Sequence, residues 1–80
     1  MNLRHIEIFH AVYVNGSVSG AARALNVSQP SVSKMLRHAE SLLGFQLFHR
    51  TNGRLVPTED AHTLFTEVSE IQDRVYALRE

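Results

Sequence analysis

Between Ser28 and Lys34 the chain places Ser28, Gln29, Ser31, Ser33 and Lys34 around a single proline, Pro30. The Gln29 amide carries a donor and an acceptor in one plane and can pair bidentately with an adenine edge. Ser33, one turn further on, is short enough to let a helix approach bases or a phosphate closely. The Pro30 ring can meet a thymine methyl, and Lys34 and Arg37 supply charge for phosphate or guanine. Ser17, Ser19, Ser28 and Ser31 fall at the starts of helical patterns, where free backbone N–H groups favour phosphate. Each has a plainer role taken singly, the serines as caps and Lys34 and Arg37 as solvated charge. Together on one surface they make a reading head for duplex DNA.

Bond-making chemistry finds little support. His5, His10, His38, His49 and His62 form no i,i+4 pair and no HExxH, and there is no cysteine. They read as scattered solvent-side histidines, and no metal site is expected. No glycine-rich phosphate loop occurs, and the carboxylates gather near the C-terminal end. The chain reads as a non-enzyme that needs no cofactor. Without cysteine there is no disulfide or zinc–thiolate framework, which suits a reducing cytoplasm. No apolar run approaches membrane-spanning length, and the charged, His-containing N-terminus is not a signal peptide.

The elements that must position these residues follow from apolar spacing and punctuation. Leu3, Ile6, Phe9, Val12 and Tyr13 predict an amphipathic helix over 3–14, closed by Asn15-Gly16. Ser17 then caps a short helix over 18–25, whose Ala21, Ala22 and Ala24 admit a close neighbour. Asn26 takes a left-handed turn and Val27 plugs the corner. A third helix begins at Ser28 or Gln29, tolerates Pro30 in its first turn, and ends near Leu43-Gly44. Val32, Leu36, Ala39 and Leu43 line its inner face, with Gln29, Ser33, Lys34 and Arg37 opposite. Residues 21–36 thus form a helix-turn-helix. Gln46–Arg50 and Arg54–Pro57 flank Thr51-Asn52-Gly53, a strong hairpin signal, with Arg50 expected near the base of this wing and Arg54 at its tip. The plainer alternative is a surface hairpin with solvated arginines.

Thr58 caps a long helix with Glu59 and Asp60 in its first turn. Ala61, Leu64, Val68, Ile71, Val75 and Leu78 keep a heptad seam, widened by Phe65 and Tyr76. At 1.5 Å per residue the stretch 58–80 would be roughly 35 Å long. That predicts a helix projecting from the head and pairing with a second copy; the alternative is a core helix folded back on the head. The expected fold is mainly α, a winged helix-turn-helix of three helices and a two-stranded wing over 1–57, followed by a dimerising linker helix over 58–80.

The zero net charge resolves by position. Residues 1–57 hold six Lys/Arg against Glu7 and Glu40, a net +4, and residues 58–80 hold two arginines against six carboxylates, a net −4. A basic head with an acidic extension suits a head that meets phosphate and a tail that meets protein.

The runs NLRHIEIFHAV, GSVSGAARALNVSQPSVSKMLRHAESLLGFQLFHR and GRLVPTE resemble the N-terminal domain of LysR-type transcriptional regulators along essentially the whole chain. The resemblance implies a winged head, a dimerising linker helix and a C-terminal effector-binding domain beyond this chain, where a small-molecule effector would bind. It implies recognition-helix roles for Gln29, Pro30, Ser33 and Lys34 and a role before the wing for Arg50. Gly53 stands where many members carry arginine, so minor-groove contact by the wing passes to Arg54 or weakens. Thr58-Glu59-Asp60-Ala61 replaces the T-x-A-G with which many members open the linker helix.

The expected function is sequence-specific binding of double-stranded DNA by a cytoplasmic bacterial homodimer at an interrupted inverted repeat. Base readout falls to Gln29, Pro30 and Ser33, and phosphate or groove contacts to Ser17, Ser19, Ser28, Ser31, Lys34, Arg37, Arg50 and Arg54. Dimerisation falls to Ala61, Leu64, Phe65, Val68, Ile71, Val75 and Leu78. Tetramers at full length and contact with RNA polymerase are compatible partners, and a membrane is not. The alternative from another class is a helical interaction module without DNA readout.

Overall fold

A computed structural model describes residues 1–79. In chain order they form α1 (Leu3–Asn15), α2 (Val18–Leu25), α3 (Gln29–Leu43), β1 (Phe48–Thr51), β2 (Arg54–Pro57) and α4 (Glu59–Arg79). Local chemistry sets most of the boundaries. Gly16, Asn26 and Gly44 take left-handed conformations (φ 73°, 57° and 81°) that close α1, α2 and α3. Ser17 and Ser28 accept the N–H of Gly20 and Ser31, capping α2 and α3, and Pro30 fits the first turn of α3. The first cap is less obvious from sequence. Asn2 Oδ1 accepts the His5 N–H at 3.0 Å while His5 Nδ1 accepts the Asn2 N–H at 3.1 Å, a capping box with histidine in the usual Glu/Gln place.

The hairpin is shorter than its sequence signal. Gln46 and Leu47 lie outside it, Thr51 belongs to β1, and the loop is Asn52-Gly53 alone, both at positive φ (52° and 75°). This is the backbone that a two-residue hairpin of the observed twist requires. Arg50 pairs with Leu55 and Thr51 with Arg54, so Arg50 sits towards the tip rather than at the base.

The core gathers Ile6, Ile8, Phe9 and Val12 of α1, Ala21 and Ala22 of α2, and Val32, Leu36 and Ala39 of α3, with Leu47, Ala61 and Val68. Leu3 and Ala24, expected on packed faces, are exposed. Phe9 is fully buried, with ring centroids 5.9 Å from Tyr13, 5.8 Å from Phe48 and 6.4 Å from Phe65. It therefore joins α1 to the wing and to α4.

The long helix does not simply project. Tyr13 stacks on Phe65 (3.8 Å between centroids) and its hydroxyl bonds His62 Nδ1, while His10 stacks on the other end of the same cluster at 5.4 Å from Phe65. These contacts lay the first half of α4 antiparallel along α1. Ala61 and Val68 are thereby fully buried in their own head, which takes these two out of a dimer seam, while Leu64 and Phe65 are half-buried against it. Heptad spacing reports an apolar stripe but not whose surface covers it. Further along, Ile71 (38% exposed), Tyr76 (49%) and Leu78 (87%) remain open, and Gln72 is buried with its amide donating to the Tyr76 hydroxyl.

One histidine is not solvent-side: His5 is buried, whereas His10 is half-buried against Phe65 and His62, although bonded to Tyr13, stays exposed. The Nδ1 of His5 accepts the Asn2 N–H, so Nε2 carries the proton and donates to His38 Nδ1 at 3.1 Å. Burial first, then the neighbouring His38 and the N-terminal ammonium, hold the His5 pKa below its ordinary 6.5. A second proton would have to enter at Nδ1, facing the Asn2 N–H.

A pKa depressed on folding favours the neutral form in the folded state. This contribution is complete above pH 6.5 and is lost as pH falls through the lower folded-state value. Thermal melts from pH 7.5 to 5 should show the midpoint falling below about pH 6.5. His5→Gln, which keeps an acceptor for the Asn2 N–H, should flatten that fall. An equal slope in both proteins would assign it to other groups.

Candidate nucleic-acid interface

The buried residues Val32, Leu36 and Ala39 define the inner side of α3. At 3.6 residues per turn, the opposite direction falls on Pro30 and Lys34, both exposed. Lys34 therefore stands at the centre of the outer face instead of flanking it. Gln29, Ser33 and Arg37 follow one another at i, i+4, i+8 along the edge that turns towards the wing.

Two adjoining clefts run along that edge. The larger, about 560 Å³, is walled by Gly16, Ser17, Val18 and Ser19 at the start of α2, by Gln29 at the start of α3, and by Arg50, Gly53, Arg54 and Leu55 of the wing. The smaller, about 280 Å³, lies between Ser33, Leu36, Arg37 and Glu40 of α3 and Phe48, His49, Arg50 and Leu55 of the wing. Arg50 and Leu55, directly paired across the hairpin, line both. The wing thus brings two guanidinium groups opposite the first turn of α2 and the stripe of α3. Gly16, Val18, Leu55, Glu40 and His49 were not expected at the interface from the sequence. They enter the site only because the hairpin folds back towards α3.

The serines divide by what their hydroxyls already do. Ser28 Oγ accepts the Ser31 N–H at 3.2 Å and donates to Ser31 Oγ at 2.8 Å, so its own proton is engaged and that of Ser31 is free. Ser17 Oγ accepts the Gly20 N–H and lies 3.5 Å from Ser19 Oγ. Pro30, Ser31 and Lys34 lie on α3 outside the walls of either cleft. Among the described residues no group of three or more His, Asp or Glu side chains could hold a metal ion, and no helix is long and apolar enough to cross a membrane.

A face of polar and cationic side chains on a helix-turn-helix, bordered by a two-stranded wing, is the architecture of one class of regulator. Residues 3–62 match the sequence model of the bacterial regulatory helix-turn-helix proteins of the lysR family. The chain belongs to this LysR family. It is 58% identical over 79 residues to the HTH-type transcriptional regulator DgcR of a Pseudoalteromonas species, covering 99% of this chain and 27% of that protein. It is 53% identical over 68 residues to the transcriptional activator protein LysR of Escherichia coli K12, covering 85% of this chain and 22% of that protein. These LysR-family relatives are transcriptional regulators and not enzymes. The chain spans about a quarter of the length of the curated relatives it matches. Its fold matches that of the BenM DNA-binding domain in a complex with catB site 1 DNA, with a TM-score of 0.89 and 29% identity over 98% of this chain and 84% of that one. The winged helix-turn-helix read from the sequence is therefore the observed fold, that of a LysR-type DNA-binding domain.

The start of α2 leaves no room for an added methyl. A Cβ at Gly20 would lie 2.9 Å from Ser17 Oγ and 3.1 Å from Asn15 Cβ. Gly20→Ala should cost roughly 1 kcal/mol in chemical denaturation through disturbance of the Ser17 cap, despite alanine's better helix propensity. A stabilised variant would show that the cap adjusts freely.

Proposed function

We propose that this domain binds double-stranded DNA sequence-specifically as a homodimer, at an interrupted inverted repeat, to regulate bacterial transcription in the cytoplasm. The observation that carries this reading is the convergence of Gln29, Ser33 and Arg37 of α3, the start of α2, and Arg50 and Arg54 of the wing on two adjoining clefts. The +4 charge of residues 1–57 is concentrated on the same head. With α3 in the major groove, Gln29 and Ser33 read base edges and Pro30 supports them. Lys34, Arg37, Arg50 and Arg54 meet phosphates or groove edges, with Ser17, Ser19, Ser28 and Ser31 completing the backbone contacts. The resemblance to a domain solved on DNA supports the same docking.

The dimer seam is assigned to the distal part of α4, where Ile71 and Leu78 are exposed and Val75 half-buried, with exposed Tyr76 alongside. An effector-binding domain, a tetramer and contact with RNA polymerase belong to the longer regulator of which this would be the reading head.

Selection from random duplexes should return an inverted repeat, and recovery of no sequence preference would favour a pure interaction module. For roughly six to eight phosphates per dimer, log affinity should fall with log salt at a slope of about −5 to −7. Gln29→Ala should cost about 1–3 kcal/mol and relax preference at one base pair, whereas Lys34→Ala should weaken all duplexes alike. Equal losses on selected and random DNA for Gln29→Ala would remove it from base readout.

Sedimentation tests the seam separately. The double substitution Ile71→Glu and Leu78→Glu should convert dimer to monomer with little change in melting temperature, since both side chains are exposed. Val68→Ala should lower the melting temperature instead. A dimer that survives the double substitution would place the contact elsewhere.

A further inference from the structure

The head contains only two carboxylates, Glu7 and Glu40. Glu7 pairs with Arg4 at 3.8 Å, the only ion pair among the described residues. Glu40 has a different partner. It lies on α3 at the wall of the smaller cleft, beside Arg37 and opposite the wing, where a negative charge repels a phosphate backbone. Its Oε2 accepts the Leu47 N–H at 2.7 Å, and its backbone carbonyl accepts the Gly44 N–H at 2.9 Å. One residue thus clamps both ends of the turn that leads from α3 towards the wing.

Leu47 continues the connection. Its side chain is fully buried, and its carbonyl accepts the Thr58 N–H at 3.0 Å. Thr58 Oγ1 donates to the Gln46 carbonyl at 2.8 Å and accepts the Ala61 N–H at the start of α4. The entry and exit strands of the wing are therefore pinned at one peptide, and that peptide is pinned to α3 by Glu40. Beyond this point wing and α3 face each other across an open cleft of about 280 Å³, without dense packing to hold their spacing.

We infer that Glu40 is a positioning residue for DNA binding: through Leu47 it sets the distance and angle between the wing arginines and the reading stripe of α3. This rests on the DNA-binding reading above, which the unsubstituted protein tests by itself. Electrostatics and positioning predict opposite signs. As mere surface charge, Glu40 opposes phosphate, and its removal tightens binding. As the anchor of the wing, its removal weakens binding although a repulsive charge is gone.

The experiment compares the unsubstituted chain with Glu40→Gln, Glu40→Asp and Glu40→Ala on the duplex selected by the unsubstituted chain, below the melting temperature of each. Glu40→Gln loses the charge but keeps an oxygen in reach of the Leu47 N–H, and should bind as tightly as the original or more tightly. Glu40→Asp keeps the charge but is one methylene short, and should lose about tenfold in affinity, the scale of one charge-assisted hydrogen bond. Glu40→Ala should lose at least as much. Adding Arg54→Ala should weaken Glu40→Asp less than it weakens the original chain, because the wing is already displaced. Asp and Ala variants that bind as well as the original would overturn the assignment. So would full additivity with Arg54→Ala. If Glu40→Ala does not fold, the Gln and Asp pair decides by itself. No selectable duplex for the unsubstituted chain would instead overturn the underlying DNA reading.

Discussion

The structure depends on a core small enough that one aromatic ring has to serve three elements. Phe9 is fully buried and contacts Tyr13 on its own helix, Phe48 at the root of the wing and Phe65 on α4. A two-stranded hairpin alone is marginal in water, and so is a helix of eight residues. Burial of a phenylalanine contributes about 1.5–3 kcal/mol, with further gain from favourable ring pairs. Shared among three elements, that contribution fixes where the wing leaves the head. Phe48 and Arg50 lie on the same face of β1 because side chains alternate along a strand. At the root that face meets Phe9, and two residues further out it has become the wall of a cleft. The placement of Arg50 is thus a consequence of where Phe48 is buried.

Charge is distributed along the same division. The arginines of the wing and Arg37 of α3 border the clefts, whereas Glu67, Glu70 and Asp73 are exposed on α4. Acidic residues at the start of α4, Glu59 and Asp60, favour the positive end of the helix dipole. A net charge of zero is therefore compatible with a strongly basic reading head. The quantity that bears on phosphate is local potential rather than the sum over the chain.

Features decided within four residues were legible in the sequence. Gly16, Asn26 and Gly44 end helices because the left-handed conformation is accessible to glycine and asparagine, and Ser17, Ser28 and Thr58 start them by offering an oxygen to a nearby N–H. The Asn52-Gly53 turn belongs to the same class, though strand length beyond it depended on how far pairing could run before Leu47 entered the core. Features that join distant residues were not legible. His5 looked like a surface histidine because His38 lies 33 positions away and because, in its local capping box with Asn2, histidine takes the place usually held by Glu or Gln. Glu40 looked like ordinary helix charge because its bond to Leu47 exists only once the chain has turned at Gly44.

The long helix shows why periodicity alone cannot distinguish a core from an interface. Both need an apolar stripe, and α4 carries one continuous stripe whose first part its own head buries and whose last part stays open. Ala61 and Val68 are closed off by the domain's own α1, while Leu78 keeps most of its surface. The handover falls near Gln72, a buried polar residue inside the stripe whose amide bonds Tyr76. Up to that point the orientation of α4 is fixed by intramolecular packing on Tyr13 and Phe9. Any partner helix that pairs with the remainder therefore inherits a geometry already set by the head. The spacing between two heads would then depend on the packing of α1 against α4 as much as on the seam itself. A cavity introduced at Val68 would reach that spacing without touching either DNA or the partner.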